Sequence, residues 1–256
     1  MGAAQSHDRS RTLDLAEVAR FAEVAKAWWD PNGQFRPLHQ LGPARLSFIR
    51  AQLIGQFGLT GAGLRPLKGL RVLDIGCGGG LIAEPLARLG AAVTAIDPGE
   101  ENIGAARAHS APQGLDIDYR VGRVEDVVGE ETSFDAVLCL EVIEHVPDVG
   151  SFLERCARLV RPGGIMILST INRTLKAYAL AIIGAEYVLG WLPVGTHQWE
   201  RFVRPDELQR HLASARLDVR NVQGLIYNPL TDRWTLGHDT SVNYLAAATR
   251  PAVPAM

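Results

Sequence analysis

Residues 72 to 80, Val-Leu-Asp-Ile-Gly-Cys-Gly-Gly-Gly, carry an apolar strand directly into a glycine turn that opens a helix. No other stretch constrains the fold as much, because a buried strand feeding a helix through glycines is the opening unit of a parallel α/β sheet. After Leu70 the alternation repeats, with strands predicted near 70–75, 92–96, 117–121, 134–140 and 165–170 and helices near 81–89, 101–110 and 149–161. That order predicts a doubly wound α/β fold, its mostly parallel sheet covered by helices on both faces. A further helix, 205–216, opens at Pro205. Two β-rich runs, 217–227 and 242–249, predict an antiparallel edge hairpin that completes a seven-stranded sheet. Pro85 has no N–H to give the preceding turn, so the helix after the glycines either starts late or is kinked.

Ahead of this core, Leu15, Val18, Phe21, Ala22, Ala25 and Trp29 recur at the spacing of one helix face, until Asp30-Pro31-Asn32-Gly33 breaks the pattern. A second helix is predicted from about Pro43 to Phe57. The expected organisation is therefore a tail and two lid helices over 1–66, an α/β domain over 67–250 with a helical insertion at 174–204, and a tail at 251–256. With 26 Lys and Arg against 28 acids, the net charge of −2 offers no bulk field for nucleic acid. Cys77, Cys139 and Cys156 are too few and scattered for a disulfide framework or a CxxC metal site, as suits a reducing compartment. Residues 1–11 are polar without an apolar run, so a cytoplasmic chain is expected.

Open α/β sheets bind ligands at the carboxyl ends of their strands, which places Gly76, Gly78, Gly79 and Gly80 where a ligand approaches the backbone. Asp97 ends the next strand, 21 positions after Gly76. That is close to the spacing of about 20 for a carboxylate that holds ribose hydroxyls. Asp74, just ahead of the glycines, would repel a pyrophosphate yet suits a ligand presenting an ammonium and a sulfonium, as S-adenosylmethionine does. Two alternatives stay open: Gly78-Gly-Gly80-Leu-Ile-Ala83 fits a loose GxGxxA of nicotinamide or flavin enzymes, and the turn could serve no ligand at all.

Farther along stand Phe134-Asp-Ala-Val-Leu-Cys-Leu-Glu-Val-Ile-Glu-His-Val-Pro-Asp148 and Leu159-Val-Arg-Pro-Gly-Gly-Ile165. With 72–80 they make residues 68–172 resemble class I methyltransferases. The flanks narrow this. Phe21 to Trp29, Pro37-Leu-His39, Arg45, Gly184-Ala-Glu-Tyr187, Gly195-Thr-His197, Tyr227-Asn-Pro229 and Val242-Asn-Tyr244 resemble the ubiquinone biosynthesis O-methyltransferase family, over nearly the whole chain. The resemblance implies S-adenosylmethionine as cofactor, with Gly76 against its methionine part, Gly78 in the same turn, Asp97 on the ribose and Leu140 against the cofactor. It also implies that Arg45 contacts the cofactor, for whose carboxylate a guanidinium fork is well shaped; the bland alternative is a surface arginine on an amphipathic helix. One departure is Arg123 after Gly122, where many members place an acid for the adenine amino group, leaving Glu125 as a substitute.

Glu141, Glu144 and His145 fall at i, i+3, i+4, on one side of a helical turn, and two carboxylates with an imidazole can hold a hard cation. The resemblance, above all to eukaryotic members, implies Mg²⁺ at these positions. Alternatively Glu144 and His145 are catalytic or shape the substrate pocket, or His145 caps the loop. The implied acceptors are the phenolic hydroxyls of 2-polyprenyl-6-hydroxyphenol and 3-demethylubiquinol. A phenol has a pKa of about 10, so roughly one in a thousand is ionised at neutral pH, and a base or metal is needed. His197 is a further candidate substrate contact, with a surface or core role as the alternative. Residues 174–192 are apolar and, with Arg173 and Lys176, read either as a helix at an anionic inner-membrane surface or as a buried cover over the site. A place in a biosynthetic complex, as enzyme or as scaffold without turnover, completes the expected partners.

Overall fold

The computed structural model describes residues 27–128, 133–180 and 198–252. Most of the 13–29 helix, residues 181–192 of the apolar insertion, and His197 lie outside the described residues. Among those described, eight strands form one sheet in the order β3-β2-β1-β4-β5-β8-β6-β7. They are β1 (Arg71–Ile75), β2 (Ala92–Asp97), β3 (Ile117–Val121), β4 (Phe134–Leu140), β5 (Val160–Ile171), β6 (Asp218–Asn228), β7 (Arg233–Gly237) and β8 (Asn243–Thr249). The first five are mutually parallel, and β8 runs antiparallel between β5 and β6. The predicted doubly wound architecture stands, with one strand more than the seven expected. The runs at 217–227 and 242–249 do pair antiparallel, but the edge belongs to β7, which folds back on β6 from the connection between them.

Among the described residues, six helices of five residues or more cover the faces: α1 (Arg36–Phe57), α2 (Ala83–Arg88), α3 (Glu100–Ser110), α4 (Val124–Val128), α5 (Val149–Leu159) and α6 (Pro205–Ser214). Alternate residues of each parallel strand enter opposite cores. Val72, Ala136, Leu138 and Ile167 join α1, α2 and α3, whereas Leu73, Val137, Cys139 and Met166 join α4, α5 and α6. This is the period-two alternation of a strand buried on both sides. All three cysteines are buried and free.

α1 starts at Arg36, a turn and more before the expected Pro43. Pro37 stands at the helix start, where a missing N–H costs nothing, and Pro43 sits inside with its ring toward solvent. The buried stripe of α1 is Pro37, Leu41, Ala44, Arg45, Phe48, Ile49 and Leu53, so this expected lid helix is part of the core. α2 starts late, at Ala83, which accommodates Pro85 in its first turn. β5 begins at Val160, inside the helix expected to reach 161. Arg250 ties down the end of the domain: its Nη1 donates to Val160 O at 2.7 Å and its N to Gly164 O at 3.0 Å.

Candidate active site

The sheet order reverses between β1 and β4, the switch point at whose carboxyl ends open α/β sheets hold their ligands. Gly76 leaves β1 at φ +71° and donates to Ile96 O at 2.8 Å, tying the turn to β2. A Cβ there would stand 2.5 Å from Val142. Gly78 has φ +53°, and a Cβ on it or on Gly79 would fall 2.4 Å from the Trp28 side chain. These glycines are therefore required by the protein's own packing. Trp28 lies across them, stacked on Phe35 at 3.8 Å between centroids, with Nε1 donating to Asn102 Oδ1 at 2.8 Å. Trp29 donates to Gly79 O at 2.9 Å and stacks on His109 at 3.4 Å.

Asp97 is 7% exposed at the end of β2. It accepts from Gly78 N at 3.0 Å, Gly99 N at 2.9 Å and Asn102 Nδ2 at 2.9 Å. Burial raises its pKa, and these three donors partly offset the rise. Asp74 is buried with Oδ2 free of any hydrogen bond. Burial, then repulsion from Asp97, pushes its carboxyl up to about 7. Asp74 thus stays short of donors while repelled by the nearby Asp97, an arrangement a cationic ligand relieves.

Arg45 is 4% exposed, so it is no surface arginine. Its Nη2 lies 2.7 Å from Glu141 Oε1. That contact is an ion pair rather than an aligned hydrogen bond, since neither Nε nor Nη2 meets hydrogen-bond geometry. Glu141 follows β4 at φ +55° and also accepts from Ser169 Oγ at 2.7 Å. Leu140, half-buried at the end of β4, pairs in register with Ser169. Glu144 is buried in the 3₁₀ turn Ile143–His145 and accepts from Thr170 Oγ1 at 2.8 Å. Burial first, then the Glu141 charge, holds its carboxyl well above the usual carboxylate range. His145 ends the same turn, half-buried.

The structure brings Arg45, Glu141, Glu144 and the Asp74–Asp97 pair to the carboxyl ends of β1, β2 and β4. It does not gather Glu141, Glu144 and His145 into a metal set: among the described residues, no group of three or more His, Cys, Asp or Glu is placed to hold a metal ion. The expected helical turn is a tighter 3₁₀ turn, and Glu141 lies outside it in a left-handed conformation, its carboxylate drawn to Arg45 and Ser169. As arranged, these residues do not fit a divalent cation. Glu125 Oε1 pairs with Arg155 Nε at 3.7 Å, and Asp126 accepts from Arg123 N at 2.7 Å. The sequence reading missed Trp28, Asn102, Ser169 and Thr170 as site residues. A Ser-Thr pair inside the buried run Ile165-Met-Ile-Leu-Ser-Thr-Ile171 was the available signal.

A family described as "Methyltransferase domain" matches residues 73–168. The ubiquinone biosynthesis O-methyltransferase of Chelativorans sp. (strain BNC1) is 52% identical over 248 residues, covering 97% of this chain and 98% of its own. That of Caulobacter sp. (strain K31) is 54% identical over 242 residues, covering 94% and 96%. Among solved structures, magnesium protoporphyrin IX methyltransferase from Synechocystis PCC 6803 superposes with a TM-score of 0.62 at 20% identity, over 92% of this chain and 93% of that one, which establishes the fold. With relatives above half identity along almost its entire length, this chain belongs to the ubiquinone biosynthesis O-methyltransferase family.

Proposed function

We propose that this protein is an O-methyltransferase that moves the methyl group of S-adenosylmethionine onto a phenolic hydroxyl of polyprenylated ubiquinone precursors, the 2-polyprenyl-6-hydroxyphenol and 3-demethylubiquinol type of acceptor. The observation that carries the reading is the order of charge around the switch point. Two buried carboxylates, Asp74 and Asp97, flank the glycine turn, and a buried guanidinium, Arg45, stands beside β4. A sulfonium amino acid joined to a nucleoside offers the complementary sequence of cation, hydroxyls and carboxylate. A dinucleotide would bring its pyrophosphate against Asp74, which counts against the nicotinamide reading.

The bound cofactor supplies an electrophilic methyl carbon, so the chain's task is alignment and proton removal. Asp97 receives the ribose hydroxyls, Arg45 the cofactor carboxylate, and Leu140 with Gly76 and Gly78 line its path. Glu144, its carboxyl pushed upward by burial and by Glu141, fixes the turn by accepting from Thr170 Oγ1. His145 is then the acceptor of the phenolic proton as the O–CH₃ bond forms. Magnesium stays outside this reading, because Glu141 would have to leave Arg45 and Ser169 to bind it.

The test is turnover of a short-chain catechol with S-adenosylmethionine, with and without EDTA and with NAD as a control. Methyl ether formation that persists in EDTA is expected. Strict dependence on added Mg²⁺ would return Glu141, Glu144 and His145 to a metal role, and binding without turnover would favour a scaffold in a biosynthetic complex. We keep 67–250 as the catalytic domain, with α1 built into its core rather than laid over it. The apolar segment from Leu175 onward is our candidate for contact with the membrane that holds the polyprenyl tail; among the described residues no helix is long and apolar enough to cross it.

A further inference from the structure

Arg45 is the only charged residue in the buried stripe of α1, and a buried guanidinium needs a counter-charge whether or not a ligand is present. Glu141 supplies it at 2.7 Å, with the two side chains 5% and 18% exposed. Glu141 is itself held in place. Its backbone N donates to Ser169 O at 3.0 Å, its Oε1 accepts from Ser169 Oγ at 2.7 Å, and its φ of +55° is a left-handed conformation that a non-glycine residue adopts only when its surroundings impose it. The strain sits on the residue that faces Arg45.

The guanidinium geometry says what this arrangement leaves open. Nε is buried without a hydrogen bond, and Nη2 touches Glu141 without alignment. Nε and Nη2 form the edge that receives a carboxylate with two parallel bonds. Nη2 carries two hydrogens, so a carboxylate docked on that edge takes one and leaves the other for Glu141. Both anions can then be served at once.

We infer that Glu141 is a positioning residue for cofactor binding: anchored on Ser169, it holds Arg45 so that the Nε–Nη2 edge receives the amino-acid carboxylate of the cofactor, a role distinct from ligation of a metal. The inference rests on the S-adenosylmethionine reading above. Loss of the Glu141 carboxylate leaves Arg45 buried but unaimed, so the damage falls on the amino-acid end of the ligand and spares the nucleoside end.

Calorimetric titration of Glu141→Gln with S-adenosylhomocysteine and with 5′-methylthioadenosine, which lacks the amino-acid end, separates the two ends. About tenfold weaker binding of the first and unchanged binding of the second is expected, one order of magnitude being the usual scale for a single charge-assisted contact. In an Arg45→Ala background, Glu141→Gln should cause no further loss, since it acts through that arginine. Ser169→Ala gives the same pattern more weakly and serves as the test if Glu141→Gln does not fold. Equal losses for both ligands, additive losses with Arg45→Ala, or Mn²⁺ binding by paramagnetic resonance that disappears in Glu141→Gln would overturn the inference. A wild-type protein that binds neither ligand would instead refute the cofactor reading, and the inference with it.

Discussion

Asp74 is the residue whose energetics are most exposed to experiment. Its folded-state carboxyl sits near 7, against 3.8 for the free group, because of burial and Asp97. The folded state therefore keeps a proton that the unfolded chain has lost, and stability falls by roughly 1.4 kcal/mol for each pH unit as pH rises from about 4 to about 7. Asp74→Asn should raise the melting temperature at pH 8, with a benefit that shrinks as pH falls toward 4, while cofactor affinity drops. A melting-temperature gain that is flat with pH would remove Asp74 from this role. Asp97 behaves differently, since it accepts three hydrogen bonds from Gly78, Gly99 and Asn102. Asp97→Ala should cost more than tenfold in S-adenosylmethionine affinity and also about 1 to 3 kcal/mol of stability from orphaned donors, whereas Asp97→Asn should keep most of the stability and still lose affinity. Calorimetry and thermal melts on the pair separate the two effects.

At the scale of elements, the glycine turn and the segment entering α1 form one unit. A methyl group on Gly78 would meet the Trp28 ring at 2.4 Å and sit on a backbone of φ +53°. Gly78→Ala should destabilise by about 1 to 3 kcal/mol and shift tryptophan emission to the red as the indole leaves its slot. Adding Trp28→Ala should then cost less than it does alone, because the two changes share one contact; full additivity would show that they do not. β1, β4 and β5 were legible because strands buried on both faces are near-continuous apolar runs, and Asp97 because the spacing from Gly76 is fixed by one βαβ unit. β7 was not, since Arg233-Trp-Thr-Leu-Gly237 is a half-exposed edge strand with little apolar signal. The start of α1 was misplaced because a proline reads as a helix start, whereas the helix begins at Arg36 and carries Pro43 inside it, on its exposed side. The metal reading of Glu141, Glu144 and His145 assumed an α-helical turn, and nothing in a residue string announces that Glu141 adopts a positive φ.

For the whole molecule, the question is how this site would reach the polyprenylated acceptor proposed for it. Leu175, Tyr178 and Leu180 are 81%, 42% and 53% exposed where the chain leaves β5, next to residues outside the described set. Burying such side chains in an interface is worth about 1.5 to 3 kcal/mol each, enough for reversible attachment when several act together. The flanking cations expected to meet anionic lipid are already engaged, Lys176 with Asp239 at 2.6 Å and Arg173 with Glu207. With a net charge of −2 added, attachment should depend on apolar contact more than on lipid charge. Co-sedimentation with vesicles should therefore fall several-fold in Leu175→Ser/Leu180→Ser, and should rise only modestly from neutral to phosphatidylglycerol-rich lipid. Turnover of a soluble short-chain catechol should be unaffected in that variant, while turnover of a long-chain acceptor held in the same vesicles declines with binding. If the variant sediments like wild type, the exposed side chains serve the fold of the insertion and the polyprenyl tail is met elsewhere.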